Sequence, residues 1–304
     1  MVKRGHGPRL SRTQAIFIAT RLLLLAAACL AAQSAFAAEA RIVGRFVWQP
    51  DDPEIGGVSG LEVEADGIGF LALIDRGRIL EGRFLREGGE IMGLSLSAKA
   101  GLLGPDGAAL EEKDDDSEGL ALDGSGGFYV SFEGSARVWH YDGPTAIPIE
   151  IPLTREFAQM QKNASLEALA ALGNGSLATM PERSGRQDRP FPIYNYEGGH
   201  WSLLGTLPRI GPFLVTGADL GPEGYLYVLE RDFVGFGFRS RIRRVDLSNG
   251  TSETLLTSAP WDFDNLEGIA AWQDSEGQTR LIAVSDNNFM ALQRTEFVEF
   301  IVTD

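Results

Sequence analysis

The chain has 304 residues, with 27 Lys and Arg against 42 Asp and Glu, a formal net charge of −15, and one cysteine. So acidic a surface repels nucleic acid and anionic lipid, and a lone cysteine permits no internal disulfide, so the fold must rest on burial and backbone hydrogen bonding. The length allows one large domain or two small ones.

In chain order, the first segment reads as an address and not as part of the fold. Residues 1–37 carry Lys3, Arg4, Arg9, Arg12 and Arg21 and no acid, then the apolar run Leu22–Ala32, then Ala35-x-Ala37. A basic head, a short apolar middle and small residues before a cut predict a secretory signal cleaved after Ala37. The apolar run is too short to span a bilayer. Lipid attachment at Cys29 in "LAAAC" is the rival, but Ala26 stands where a larger aliphatic is expected. Cleavage leaves 22 Lys and Arg against 42 Asp and Glu, no cysteine and a single domain over 38–304.

Five segments of that domain share one grammar: a short apolar strand, a Gly/Asp turn, a second apolar strand and a charged exit. They begin at Ser59, Glu118, Glu167, Thr216 and Glu267, spaced 59, 49, 49 and 51 residues apart. A period near 50 built of short strands and Gly-rich turns predicts an all-β propeller with four-stranded blades. The outer strands follow: "ILEGRFLRE" and "IMGLSLS" in the first blade, "RVWHYD" and "AIPIEIPL" in the second. The third takes "FPIYNYE" and "HWSLLGTL", and the fourth "RIRRVDL" and "ETLLTSA". The fifth has only "EFVEFIV", so "RIVGRFVWQ" (Arg41–Gln49) is expected to complete it and close a ring of five blades, leaving no free edge. No helix is expected.

In such a ring the start of each inner strand and the end of its second strand meet at one mouth of the central channel. The starts are Ser59, Glu118, Glu167, Thr216 and Glu267; the exits are Asp75-Arg76, Glu133, Glu182-Arg183, Glu230-Arg231 and Asp286-Asn287-Asn288. The acidic run Asp114–Asp116 falls at the same mouth. Three inner glutamates in a narrow channel repel one another unless a cation or shared protons intervene. Hard cations such as Ca²⁺ take carboxylate and amide oxygens, so Glu118, Glu167, Glu267, Asp286 and Asp75 are the candidate metal ligands, with Glu118, Glu167 and Glu267 also the candidate catalytic groups. Arg76, Arg183 and Arg231 are the candidates for holding an anionic small-molecule substrate through charge-assisted bonds. Two loops overhang the mouth: Pro181–Pro192, with Arg183, Arg186 and Arg189, and Glu230–Arg241, which mixes arginine with aromatic residues. Asp114-x-Asp116-x-Glu118-Gly119 imitates an EF-hand opening, but the twelfth position is Ser125, and no Walker, G-x-S-x-G or H-E-x-x-H motif occurs. His140 and His200 fall on outer strands, which argues against a Ser-His-Asp triad.

The motifs "DSEGLAL", "SLEALA", "TGADLGPEGYLYVLERDF" and "NLEGIAAW…LIAVSDNNF" resemble, in order, those of the phytase-like propeller family described by an "esterase-like activity of phytase", over roughly residues 55–302. The resemblance implies a propeller, export to the periplasm and hydrolysis of phosphoesters or carboxylic esters. Well-studied alkaline phytases are six-bladed with several Ca²⁺ ions in an acidic cleft; six blades are therefore the alternative to the five counted here. The expectation is a periplasmic, metal-assisted hydrolase, monomeric and without a membrane span once the signal is removed. The alternative is a non-catalytic periplasmic propeller that binds a small ligand or envelope partner.

Overall fold

The computed structural model describes residues 38–290 and 292–304, so the expected signal segment, its cleavage site and Cys29 lie outside the described residues. Residues Ala38–Thr303 form one unit of five four-stranded antiparallel sheets. Blade I is β2 (Val58–Val63), β3 (Gly69–Ile74), β4 (Arg78–Glu87) and β5 (Glu90–Gly101). Blade II is β6 (Ser117–Leu122), β7 (Phe128–Phe132), β8 (Arg137–Tyr141) and β9 (Ile149–Glu150). Blade III holds β10 (Leu166–Gly173), β11 (Ser176–Pro181), β12 (Phe191–Glu197) and β13 (His200–Leu207). Blade IV holds β14 (Leu214–Leu220), β15 (Leu226–Phe233), β16 (Phe238–Asp246) and β17 (Thr251–Thr257). Blade V is β18 (Asn265–Gln273), β19 (Thr279–Asp286) and β20 (Thr295–Thr303), finished by β1 (Glu39–Trp48).

The expected closure is present. β1 runs antiparallel to β20 from Glu39 opposite Thr303 to Trp48 opposite Thr295, so the ring is shut by strands from both ends of the domain. Five blades are seen, as counted, and the only helical element among the described residues is a 3₁₀ turn at Phe157–Gln159. No helix among them is long and apolar enough to cross a membrane. The expected outer strand of blade II is cut down. Of "AIPIEIPL" only Ile149–Glu150 pairs, because Pro148 and Pro152 bracket it and have no N–H to give a ladder.

The inner and second strands are buried on both faces, and their apolar side chains fill the spaces between neighbouring blades. One such layer joins blades I and V through Leu61, Phe70, Phe84, Val284 and Phe297; another joins III and IV through Met180, Phe191, Val215 and Val228.

Every inner strand carries a register slip near its start. It falls at Ser59, at Glu118-Gly119, at Glu167, at Thr216 and at Glu267. A bulge inserts an extra residue and re-aims its side chain. The five repeat starts are therefore the bulge residues, turned from the ladder toward the channel. The small residue after each start has a reason too. A Cβ on Gly119 would stand 2.8 Å from the Glu167 carbonyl oxygen, and one on Gly217 would run into the Glu267 carbonyl oxygen of the next blade. Inner strands approach this closely only where that position is nearly bare.

Candidate functional site at the channel mouth

Below the mouth the channel is plugged. Leu61, Leu120, Leu169 and Ile269 converge beneath the bulge residues and leave about 10 Å³ of free space, room for roughly one water. Any chemistry belongs to the rim above.

Two of the five bulge residues serve the scaffold. Ser59 Oγ donates to the Ser117 carbonyl at 2.7 Å, binding blade I to blade II, and Thr216 Oγ1 reaches the Leu266 carbonyl at 3.4 Å, binding IV to V. The other three are Glu118, Glu167 and Glu267, near enough that the charges of Glu167 and Glu267 act on Glu118.

On the blade II wall, Asp116, Glu118 and Glu133 each place one carboxylate oxygen within 4.8 Å of the others. Asp116 precedes Glu118 by two residues, and Glu133 follows β7 and accepts the Ser165 N–H of blade III at 3.1 Å. Burial, then the charges of Glu167 and Glu267, push Glu118 well above the usual carboxylate range. Burial, then Glu182, do the same to Glu167. Burial raises Asp116, which a hydrogen bond from Glu118 opposes, and lifts Glu133 to about 7 against a hydrogen bond from Glu167. Without a cation the wall binds protons more tightly than free carboxyls do. Asp116 and Glu133 were visible in the sequence as neighbours of a repeat start and as an exit; what the sequence could not supply is that these two, and none of the expected ligands Glu167, Glu267, Asp75 and Asp286, complete a cation-sized group with Glu118 among the described residues.

On the opposite wall, Arg231 is the counterion. Its guanidinium bonds Glu267, Asn265 Oδ1 at 2.7 Å and Glu182 Oε1 at 3.3 Å. Asn265 also donates to Glu267 at 2.9 Å. Burial raises Glu267, and Arg231 with the Asn265 bond pulls it back toward ionisation. Arg231, expected to meet an anion, is thus engaged by acids of its own chain.

Between the two walls lie the exits of blades I and V. Asp286 is buried and lifted to about 8, by burial and then by the charge of Glu267; its Oδ1 accepts the Asn288 N–H at 2.6 Å. Asp75 is lifted to about 7 by burial, with Arg76 opposing, and its buried Oδ1 has no partner. Asn287 Oδ1 holds the Gly57 N–H at 3.0 Å and so seats the blade I entry against this exit.

The two other arginines stand at the rim. Arg76 is exposed, its guanidinium 4.0 Å above the Phe289 ring. Arg183 is half exposed and shares Glu182 at 3.0 Å. Glu230 turns away from the mouth and is wholly buried, with Arg241 at 2.6 Å and Arg243 at 3.6 Å. His140 sits on β8 against Asp123 at 2.8 Å, and His200 is exposed on β13; neither approaches the mouth residues through any hydrogen bond.

Fold and site together define a five-bladed β-propeller with a plugged channel and a carboxylate-rich mouth. The chain belongs to the Phytase-like family, described as "Esterase-like activity of phytase", which matches residues 53–289. No curated protein matches the sequence. Among solved structures, an endo-arabinase from Bacteroides thetaiotaomicron is similar, with a TM-score of 0.50, 10% identity, and coverage of 83% of this chain and 96% of that one. A gluconolactonase from Xanthomonas campestris scores 0.41 at 12% identity over 80% of this chain and 72% of that one. A luciferin-regenerating enzyme scores 0.42 at 14% identity over 81% and 78%. At such identities the likeness is one of fold alone.

Proposed function

We propose that the protein is an exported, periplasmic, metal-assisted hydrolase that cleaves a phosphoester or carboxylic ester at the propeller mouth. The observation that carries this reading is the convergence of Asp116, Glu118 and Glu133 within 4.8 Å. The donors are all carboxylate oxygens, the set a hard cation such as Ca²⁺ takes, and their raised affinity for protons marks a place short of positive charge. A cation held there supplies Lewis acidity and a water of lowered pKa. The remaining work falls to the chain. Glu267, drawn toward ionisation by Arg231, takes the proton of the attacking water. As the new bond to phosphorus or acyl carbon forms and the ester C–O or P–O bond breaks, Asp286 or Asp75 protonates the departing oxygen; both retain protons near neutral pH. Arg183 and Arg76, at the rim, are placed to orient an anionic substrate.

Exposed aromatic rings beside the mouth, Phe233, Phe236 and Trp261, favour a second reading, a binder that holds cation and ligand without turnover. A calcium titration followed by thermal melting, with ester hydrolysis measured with and without chelator, separates the readings. Ca²⁺ is expected to raise the melting temperature, since it binds only the folded state. Glu118→Gln should blunt that response, yet leave the metal-free protein as stable or more so, because it removes a carboxyl that burial and its neighbours force to take up a proton on folding. A flat titration removes the metal; a metal response without turnover of either ester class leaves the binder. Sequencing the N-terminus of the exported protein tests the cut after Ala37.

A further inference from the structure

Beside the acidic mouth lies a second depression of different chemistry. The first, about 430 Å³, is lined by Glu182, Arg183, Arg231 and Asn265. The second, about 640 Å³, is lined by Phe236, Gly237, Trp261 and Phe263. Phe233, Phe238 and Asn288 border both, so the two are continuous. One end is charged and the other is a shelf of rings.

The shelf is built, not incidental. Phe233, Phe236 and Trp261 are 59%, 66% and 64% exposed, far beyond what folding requires of aromatic residues. Phe236 stacks on Trp261 at 6.0 Å, with 23° between the rings, and Phe233 leans on Phe238 at 5.2 Å. Trp261 lies against the backbone of Gly237, where a Cβ would come within 2.9 Å of its ring. Its own backbone is left-handed, at φ +72°, a conformation that costs a bulky residue energy and is held where the surroundings impose it. The Trp261 N–H bonds the Phe238 carbonyl at 3.3 Å, tying this residue to the β15–β16 hairpin.

Resting on the hydrolase reading above, we infer that the shelf receives the leaving group, and that the substrate class is an ester whose alcohol portion is a flat aromatic ring. The charges agree. A compact, heavily phosphorylated polyol needs many free cations, whereas here Arg231 is engaged by Glu267 and Glu182, Arg183 shares Glu182, and Arg76 lies over Phe289. One anionic or ester head at the mouth and one ring on the shelf use both depressions. Ring stacking tolerates variety in the ring while demanding a π face.

The test uses the mature protein with Ca²⁺ and two pairs of esters: 2-naphthyl phosphate with glycerol 2-phosphate, and 2-naphthyl acetate with ethyl acetate. Trp261→Ala should lower kcat/KM for the naphthyl ester by roughly five- to tenfold, through KM, and leave its aliphatic partner unchanged. Comparing each substrate with itself in the two proteins cancels the naphthyl group's greater intrinsic reactivity. Leu203→Ala, which trims an exposed apolar residue of β13, is the control and should change neither. Equal losses for both partners, or none for the naphthyl ester, overturn the inference and leave the hydrolase reading standing. If no ester is turned over, calorimetric binding of 2-naphthylphosphonate decides. A fivefold weakening by Trp261→Ala then upholds the shelf while the hydrolase reading fails; binding that is absent or unchanged overturns the shelf as well.

Discussion

Asp286→Asn isolates the electrostatic cost of the mouth. The unfolded chain releases this proton near 3.8 and the folded protein near about 8. Between those values the folded state binds the extra proton, so stability falls as pH rises through the window. Moving a carboxyl from 3.8 to about 8 corresponds to roughly 5 to 6 kcal/mol against the ionised form. About half should survive in the comparison, roughly 2.5 kcal/mol, because the asparagine is itself a buried amide whose NH₂ needs a partner. Its Oδ1 can still accept the Asn288 N–H. In urea, with EDTA present, the variant should be less stable than wild type at pH 4 by the cost of its amide, roughly 3 kcal/mol, overtake it as pH rises through the window, and stay ahead by a constant roughly 2.5 kcal/mol above the window. With a slope of about 3 kcal/mol per molar, the variant's midpoint there lies roughly 0.8 M higher. Equal midpoints at pH 9, or a less stable variant, would refute the account of Asp286 as a carboxyl that the fold keeps protonated.

Arg231→Met should cost about 3 kcal/mol at pH 7, because it leaves Glu267 without its cation and Glu182 with only the half-exposed Arg183; a urea midpoint near wild type would show that the acids relax by taking up protons instead. Gly217→Ala should destabilise by about 2 kcal/mol, since the added methyl meets the Glu267 carbonyl of the neighbouring blade, and hydrogen exchange should rise first in β14 and β18. Protection lost elsewhere before those strands would place the strain wrongly.

Blade number and closure were legible because each repeat must bury its inner strands against its neighbours, which repeats the same apolar pattern, and because blade V lacked one strand that Arg41–Gln49 alone could supply. Several details were not. Glu230 and Arg231 both read as rim residues, yet β15 continues to Phe233, and adjacent residues on a strand face opposite ways. Arg231 therefore meets the acids of the mouth while Glu230 goes under the blade to Arg241. Burial of Ser59 and Thr216 as hydroxyl clamps was equally hidden, because serine, threonine and glutamate at a repeat start all read as polar. Which carboxylates converge depends on side-chain direction at the bulges, and a pattern of spacings does not contain that direction. The shelf was present in the sequence only as aromatics in the loop Glu230–Arg241; Trp261, its other half, came from a turn with no repeat signature.

Closure by β1 also bears on the order of events as the chain is made. Residues 39–48 emerge early, yet their hydrogen-bonding partners are 295–303, so blade V cannot form until nearly the whole domain exists. The entropy of closing so long a loop grows only logarithmically with its length, but it must be met before the last sheet repays it. Until then the chain is an open arc with two unpaired edges. Such an arc stays pliable while it is being synthesised, and resistance to proteases and denaturant is expected only at the final step, when its two ends meet.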